Sequence, residues 1–119
     1  MKAQTWRAKI KKSCEDAGTY QPFFDPIIDS LSVILENRDK AYEQYEKTGA
    51  NPVIKYTNKG GNTNPAKNPL LVVWDDLNAS ALTYWRELGL TPSGLKKLNE
   101  DALKPKKRSA LAEALAEFG

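Results

Sequence analysis

The sequence predicts a mostly α-helical small domain, with a β-hairpin or extended loop between its second and third helices. Apolar residues recur every three or four positions in several segments, each bounded by glycine, proline or a capping residue. Residues 51–69 break that period and combine a β-favouring run with asparagine and glycine. The length of 119 residues, with 40% hydrophobic and 28% charged residues, fits one domain.

The composition also restricts location and assembly. The sequence contains no run of about 18 apolar residues for a membrane span, and its charged N-terminus lacks the apolar core of a secretory signal. We therefore expect a cytoplasmic protein. Cys14 is the only cysteine, so no intrachain disulfide forms, and we expect it to be a small buried residue. A chain this short buries a modest share of its surface, which favours self-association.

The first helix is predicted over residues 3–17, with Gly18 as its stop. One face is apolar and carries Trp6, Ile10, Cys14 and Ala17. The other face is basic, and its candidate DNA-binding residues are Arg7, Lys9, Lys11 and Lys12. Such a patch can neutralise DNA phosphates, but short basic runs are equally common as solvated surface, and both interpretations remain open.

The second helix begins at Pro22 or Pro26, because either proline suits a first helical turn. Helical spacing then continues to Lys47, and Gly49 supplies the stop. Its polar face is predicted to be solvated. That face carries Glu36, Arg38, Asp39, Lys40, Glu43, Glu46 and Lys47.

The segment after the second helix changes character. Residues 53–57 favour a strand, and residues 58–61 form a turn able to take positive φ. Pro65 is acceptable only at a strand edge. In a closed oligomer this hairpin could pair with a neighbour, whereas in a monomer it would be a loose loop.

The third helix starts at the cap Asn68 and first-turn Pro69 and continues to Leu88. Its apolar surface is wider than a single stripe, which predicts contact with a second subunit as well as with its own domain. The candidate oligomer-interface residues are Leu71, Trp74, Tyr84 and Trp85. Asp75 and Asp76 point about 100° apart, which favours a solvated face over a metal site.

A tight corner follows the third helix. Gly89 ends that helix and Leu90 packs back on it, while Thr91 caps the next helix and Pro92 begins it. Such a corner is similar to the turn of a helix-turn-helix, although capping residues alone make corners in many helical proteins.

The stretch NPLLVVWDDLNASALTYWRELGLTPSGLKKL, residues 68–98, resembles one family of small terminase subunits from tailed double-stranded DNA bacteriophages. The family motif is Asn-Pro-apolar, about twenty helical residues, and Gly-Leu-Thr-Pro-Ser. Here Gly94 and Leu95 replace the usual Ser-Arg, so any task of that arginine falls to Lys96 or Lys97. These two lysines complete the candidate DNA-binding set.

The resemblance implies a noncatalytic, ring-forming homo-oligomer in the host bacterial cytoplasm. Its implied partners are viral double-stranded DNA and a large subunit that holds the ATPase and nuclease. The residues agree, because the sequence contains no histidine, no phosphate-binding loop and no zinc-ligand set, so neither a cofactor nor a metal is expected. The alternatives are a dimeric helix-turn-helix transcriptional regulator and a structural head or tail adaptor.

The predicted domain occupies residues 1–103, followed by a basic hinge and a flexible amphipathic tail over residues 104–119. Pro105 ends the fourth helix, and the tail then carries Leu111, Leu115 and Phe118 on one helical face. We predict that these three residues dock on the large subunit. The alternative is that the tail folds back on its own domain or is a frayed end.

Overall fold

A computed structural model describes residues 1–100, and its helices and hairpin follow the predicted order. The tail residues Leu111, Leu115 and Phe118, and the predicted boundary after residue 103, lie outside the described residues. The elements are α1 (Ala3–Asp16), a 3-10 turn (Pro22–Phe24), α2 (Asp25–Lys47), β1 (Val53–Thr57), β2 (Thr63–Lys67) and α3 (Pro69–Glu87). A further helix, α4, begins at residue 92 and continues through residue 100. The mostly helical fold with a hairpin between α2 and α3 is confirmed.

Both candidate prolines begin a helical element. Pro22 opens the 3-10 turn, and Pro26 lies in the first turn of α2. Proline suits these places because its missing N–H would find no partner in a first turn. Asn68 caps α3 as predicted, since its side-chain oxygen accepts a hydrogen bond of 3.0 Å from the Leu70 amide.

The ends of the helices also agree with the sequence. Gly89 has φ +71°, and its amide donates to the Arg86 carbonyl at 2.9 Å. The Leu90 amide donates to the Trp85 carbonyl at 2.9 Å, and the Leu90 side chain packs on the core as predicted. These two bonds satisfy carbonyls that the helix end would otherwise leave free. Gly18 and Gly49 end α1 and α2 in the same way.

The core lies along α2, which packs against α1 on one side and α3 on the other. Its buried members are Ile10, Cys14, Phe24, Ile28, Leu31, Leu35, Ala81 and Leu88. Burial raises the pKa of the Cys14 thiol, as expected for a residue that packs as a small apolar group. Ala17 does not join this core but is exposed, because it lies at the C-cap of α1.

The hairpin is a two-stranded antiparallel sheet in which Ile54 pairs with Ala66 and Lys55 with Pro65. Apart from Ile54 and Ala66, which are half-buried, its strand residues are exposed. Asn68 holds its base, because the Asn68 amide donates to the Pro52 carbonyl at 2.8 Å and its side-chain Nδ2 donates to the Asn51 carbonyl at 3.0 Å. Among residues 1–100, no helix is long and apolar enough to cross a membrane.

Candidate nucleic-acid and assembly surfaces

The polar face of α2 is not wholly solvated, and this prediction was wrong for Glu36, Arg38 and Asp39, which are half-buried. Trp6 donates from its indole nitrogen to Asp39 Oδ2 at 2.8 Å, and Arg38 donates to Asp39 Oδ1 at 3.2 Å. Arg38 also reaches α3, where it donates to Asn78 Oδ1 at 3.0 Å. A half-buried indole N–H needs an acceptor, and this need draws Asp39 inward. Trp6, Arg38, Asp39 and Asn78 thus form a hydrogen-bonded junction that connects α1, α2 and α3.

Hydrogen bonding at this junction sets the charge state of Asp39. Burial by itself would raise the pKa of this carboxyl group, but hydrogen bonds from Trp6 and Arg38 outweigh it and hold the pKa below its ordinary value. Asp39 therefore remains ionised at neutral pH. The positive charge of Arg38, whose guanidinium carbon lies 5.7 Å from the Trp6 ring centre, is balanced within the fold.

The basic residues of α1 differ in their surroundings. Arg7 lies beside the buried stripe, where its Nε is 2.6 Å from Asp29 Oδ1 of α2. Lys11 follows Arg7 by one turn on the same side of α1, with its ammonium nitrogen 5.2 Å from the Tyr20 ring centre. Lys9 and Lys12 are exposed and make no ion pair within residues 1–100. Of the four predicted DNA-binding residues on α1, Lys9 and Lys12 are the freest to meet phosphates.

The second part of the candidate DNA-binding set lies on α4. Lys96 and Lys97 are both exposed, and Leu95 and Leu98 on the inner side are half-buried. Lys97 and Arg86 line one open cleft of about 410 Å³ between α3 and α4. This cleft joins a predicted lysine to an arginine that the sequence pattern does not select. Arg86 is separated from Lys97 by the corner, so helical spacing gives no signal for the pair.

The α3–α4 corner is closely packed. The Thr91 hydroxyl accepts a hydrogen bond of 3.0 Å from the Gly94 amide, which confirms Thr91 as the cap of α4. A Cβ atom on Gly94 would overlap the Arg86 carbonyl oxygen and lie 2.9 Å from Arg86 Cα. Glycine at position 94 therefore permits an unusually close approach of α4 to α3.

A hydroxyl bond joins this corner to α1. Thr19 donates to the Leu88 carbonyl at 3.1 Å and lies 3.4 Å from the Cys14 carbonyl. Both acceptors belong to helix ends, where carbonyl groups lack intrahelical partners. Thr19 thus fixes the C-terminal ends of α1 and α3 next to each other, close to the start of α4.

The predicted oligomer-interface residues on α3 are all half-buried, but they fall into two kinds. Tyr84 and Trp85 pack against the chain's own core. Leu71 and Trp74 are not part of that core, and the Trp74 ring lies 6.2 Å from the exposed Tyr42 ring. Only Ala81 is fully covered within α3. This helix consequently keeps a large apolar surface in contact with solvent.

Exposed apolar residues lie on both flanks of α3. Val73 is 45% exposed and Leu82 is 44% exposed. Nine residues separate them, which at about 100° per residue puts them on opposite sides of the helix. Ala81, between them around the helix, faces the core. The fold therefore offers two distinct apolar strips rather than one.

The acidic residues do not form a metal site within the described residues. Asp75 pairs with Lys67 of β2, and Asp76 is exposed. Within residues 1–100, no group of three or more histidine, cysteine or acidic side chains is placed to hold a metal ion. The Lys67–Asp75 pair instead joins the hairpin to the first turns of α3.

Comparison with known proteins gives a family match for most of the chain. A family model described as phage terminase, small subunit, matches residues 3–105. This range spans most of the 119-residue chain and includes every helix and strand given above. No curated protein and no solved structure matched the chain.

Proposed function

This chain belongs to the family of phage terminase small subunits, and from that premise we propose that it recognises viral double-stranded DNA and presents it to the large terminase subunit. A role in phage DNA packaging follows from the family itself. The observation that carries the finer proposal is the extent of the match, which includes both α1 and α4 with their exposed lysines. We expect a non-catalytic protein that acts in the host bacterial cytoplasm.

The proposed DNA-binding surface combines the solvent face of α1 with α4. Lys9 and Lys12 supply the free charges on α1, and Lys96 and Lys97 supply those on α4. Lysine neutralises phosphate as a point charge, so binding should weaken steeply as salt rises. The salt dependence of affinity therefore reports how many phosphates the protein neutralises.

The DNA-binding proposal is tested with the triple variant Lys9→Gln, Lys11→Gln, Lys12→Gln, which matches the parent in length and polarity. The slope of log affinity against log salt should fall by about 0.9 for each phosphate that the variant no longer neutralises. A variant that loses lysine charge elsewhere, Lys40→Gln, Lys47→Gln, serves as the control, because both lysines already pair with glutamates of α2. An unchanged slope in the triple variant refutes the assignment to α1.

We further propose that the subunits form a ring through α3. Closed rings use two different patches on each subunit, whereas a two-fold dimer uses one self-complementary patch. The strips around Val73 and Leu82 meet the ring requirement, because they lie on opposite flanks of the same helix. The predicted interface residues Leu71 and Tyr84 also lie on opposite flanks, roughly 140° apart.

Mass measurement in solution tests the ring. Val73→Glu and Leu82→Glu should each block assembly, and an equimolar mixture of the two should give a heterodimer through the one intact contact. Val72→Glu is the matched control, since Val72 is 40% exposed but lies on the face away from the core. A wild-type dimer or monomer at micromolar concentration contradicts the ring, and a dimer favours the regulator alternative.

The tail beyond the predicted boundary after residue 103 is proposed to dock on the large subunit through Leu111, Leu115 and Phe118. Removal of residues 104–119 should abolish large-subunit binding and leave the oligomer mass unchanged. A matched triple variant, Leu111→Ser, Leu115→Ser, Phe118→Ser, keeps the chain length. If the truncated protein dissociates into monomers, the tail is architectural and the docking proposal is wrong.

A further inference from the structure

The β-hairpin has a charge pattern that the surfaces above do not use. Residues 47–74 contain no aspartate or glutamate, and this is the longest acid-free stretch of the sequence. Its lysines are Lys47, Lys55, Lys59 and Lys67. Lys47 and Lys67 pair with acidic residues of the helices. Lys55 and Lys59 make no ion pair within residues 1–100, so they give the hairpin a free positive charge.

The hairpin tip is held in a defined shape. Asn58 Oδ1 accepts hydrogen bonds of 3.0 Å from the Gly60 and Asn62 amides, and the Asn58 amide donates to the Asn62 carbonyl at 2.9 Å. Gly61 has φ +81°, a conformation that glycine adopts without strain. Lys59 is exposed at the apex of this turn. A fixed turn presents its lysine with little further loss of conformational freedom on binding.

The strand edges disfavour extension of the sheet by another strand. Opposite residues in an antiparallel pair of strands alternate between hydrogen-bonded and non-hydrogen-bonded pairs. The backbone bonds Asn68–Pro52 and Asn58–Asn62 mark two hydrogen-bonded pairs. By this alternation, Lys55 and Pro65 form a non-hydrogen-bonded pair. Their backbone groups therefore point to the two open edges. Pro65 has no N–H to offer there, and a lysine at the middle of an edge also opposes pairing. The ligand must contact the side chains and tip rather than add a strand.

We propose that this hairpin is a second DNA-contacting element, whose tip, residues 58–62, enters a groove of double-stranded DNA while Lys55 and Lys59 contact phosphates. The inference rests on the DNA binding argued under the proposed function. A two-stranded ribbon fits the major groove of B-form DNA. The free lysines match the phosphates, and exposed Asn62 brings an amide of the kind that pairs with base edges.

The test is the full-length double variant Lys55→Gln, Lys59→Gln, measured on a labelled 30-base-pair duplex of random sequence over a series of salt concentrations. The slope of log affinity against log salt should fall by about 1.8, at 0.9 for each of two phosphates. Both lysines are exposed, so the variant should keep its helical circular dichroism and oligomer mass. The matched control is Lys40→Gln, Lys47→Gln, which removes the same charge from α2.

Three outcomes overturn the inference, and one of them also overturns the proposed function. An unchanged slope, with DNA bound normally, removes the hairpin from the DNA interface and leaves the proposed function intact. If the double variant keeps the salt slope but changes the oligomer mass or no longer binds the large subunit, the hairpin contacts protein rather than DNA. Wild-type protein that binds neither random duplex nor phage genomic DNA contradicts DNA recognition altogether.

Discussion

Substitution of Gly94 by alanine tests the close approach of α4 to α3. The added Cβ would overlap the Arg86 carbonyl oxygen and lie 2.9 Å from both Arg86 Cα and Thr91 Oγ1. Two of these atoms are backbone, so the corner itself has to open. Overpacking of this kind costs about 1–3 kcal/mol. Loss of the Thr91 cap adds about 1 kcal/mol.

The helix propensity of alanine offsets part of this cost, by at most about 1 kcal/mol. The net expectation is that Gly94→Ala lowers the free energy of unfolding by about 2 kcal/mol, equivalent to roughly 8–16 °C in Tm for a domain of this size. Urea denaturation at a fixed protein concentration measures the change in the free energy of unfolding. Ser93→Ala is the control, because Ser93 is the preceding, exposed residue of the same helix. An equal or higher stability of Gly94→Ala refutes the close approach.

Three further substitutions test the fold. Leu35→Ala should lower the unfolding free energy by about 2–5 kcal/mol, because Leu35 is fully buried, and Tm shifts will report it. Thr19→Val removes the hydrogen bond to the Leu88 carbonyl and should cost about 0.5–1.5 kcal/mol in urea denaturation. Asp39→Asn should destabilise at pH 7. Because folding lowers the pKa of Asp39, the wild-type protein should have the higher free energy of unfolding above about pH 4, and the difference should shrink as the pH falls further. A difference that grows on acidification contradicts the Trp6–Asp39 bond.

Local sequence rules are sufficient for the elements and their ends. The Asn68 cap and the Gly89 stop depend on side chains and dihedral angles within a few residues, and the structure contains both. The same holds for Thr91 at the start of α4. These signals are local because the unpaired amides of a helix lie within its first turn and the unpaired carbonyls within its last turn.

Contacts between elements that are distant in the sequence cannot be predicted from such local signals. Ile28 is buried because α2 contacts α1 as well as α3, and helical spacing within α2 alone does not show how many neighbours the helix has. The basic face of α1 groups Arg7 with the free lysines, but its partner Asp29 lies on another helix. Arg38 and Asp39 follow the polar period of α2, yet Asp39 accepts hydrogen bonds from the Trp6 indole and from Arg38. In each case the decisive neighbour comes from the packing of helices, which a one-dimensional period does not contain.

Helix α3 connects the proposed assembly surface to the proposed DNA-contacting hairpin. Asn68 caps this helix and also holds the hairpin base through the Asn51 and Pro52 carbonyls, so the direction of the hairpin is set by the axis of α3. The flanks of the same helix carry Val73 and Leu82, through which neighbours would pack. Assembly through α3 would therefore fix every hairpin at one radius and tilt in the ring. DNA held by several such hairpins gains from effective concentration, because the first contact makes each later one intramolecular. The contacts of Lys55 and Lys59, weak in a single hairpin, would then add up around the ring to a contribution that a monomer lacks.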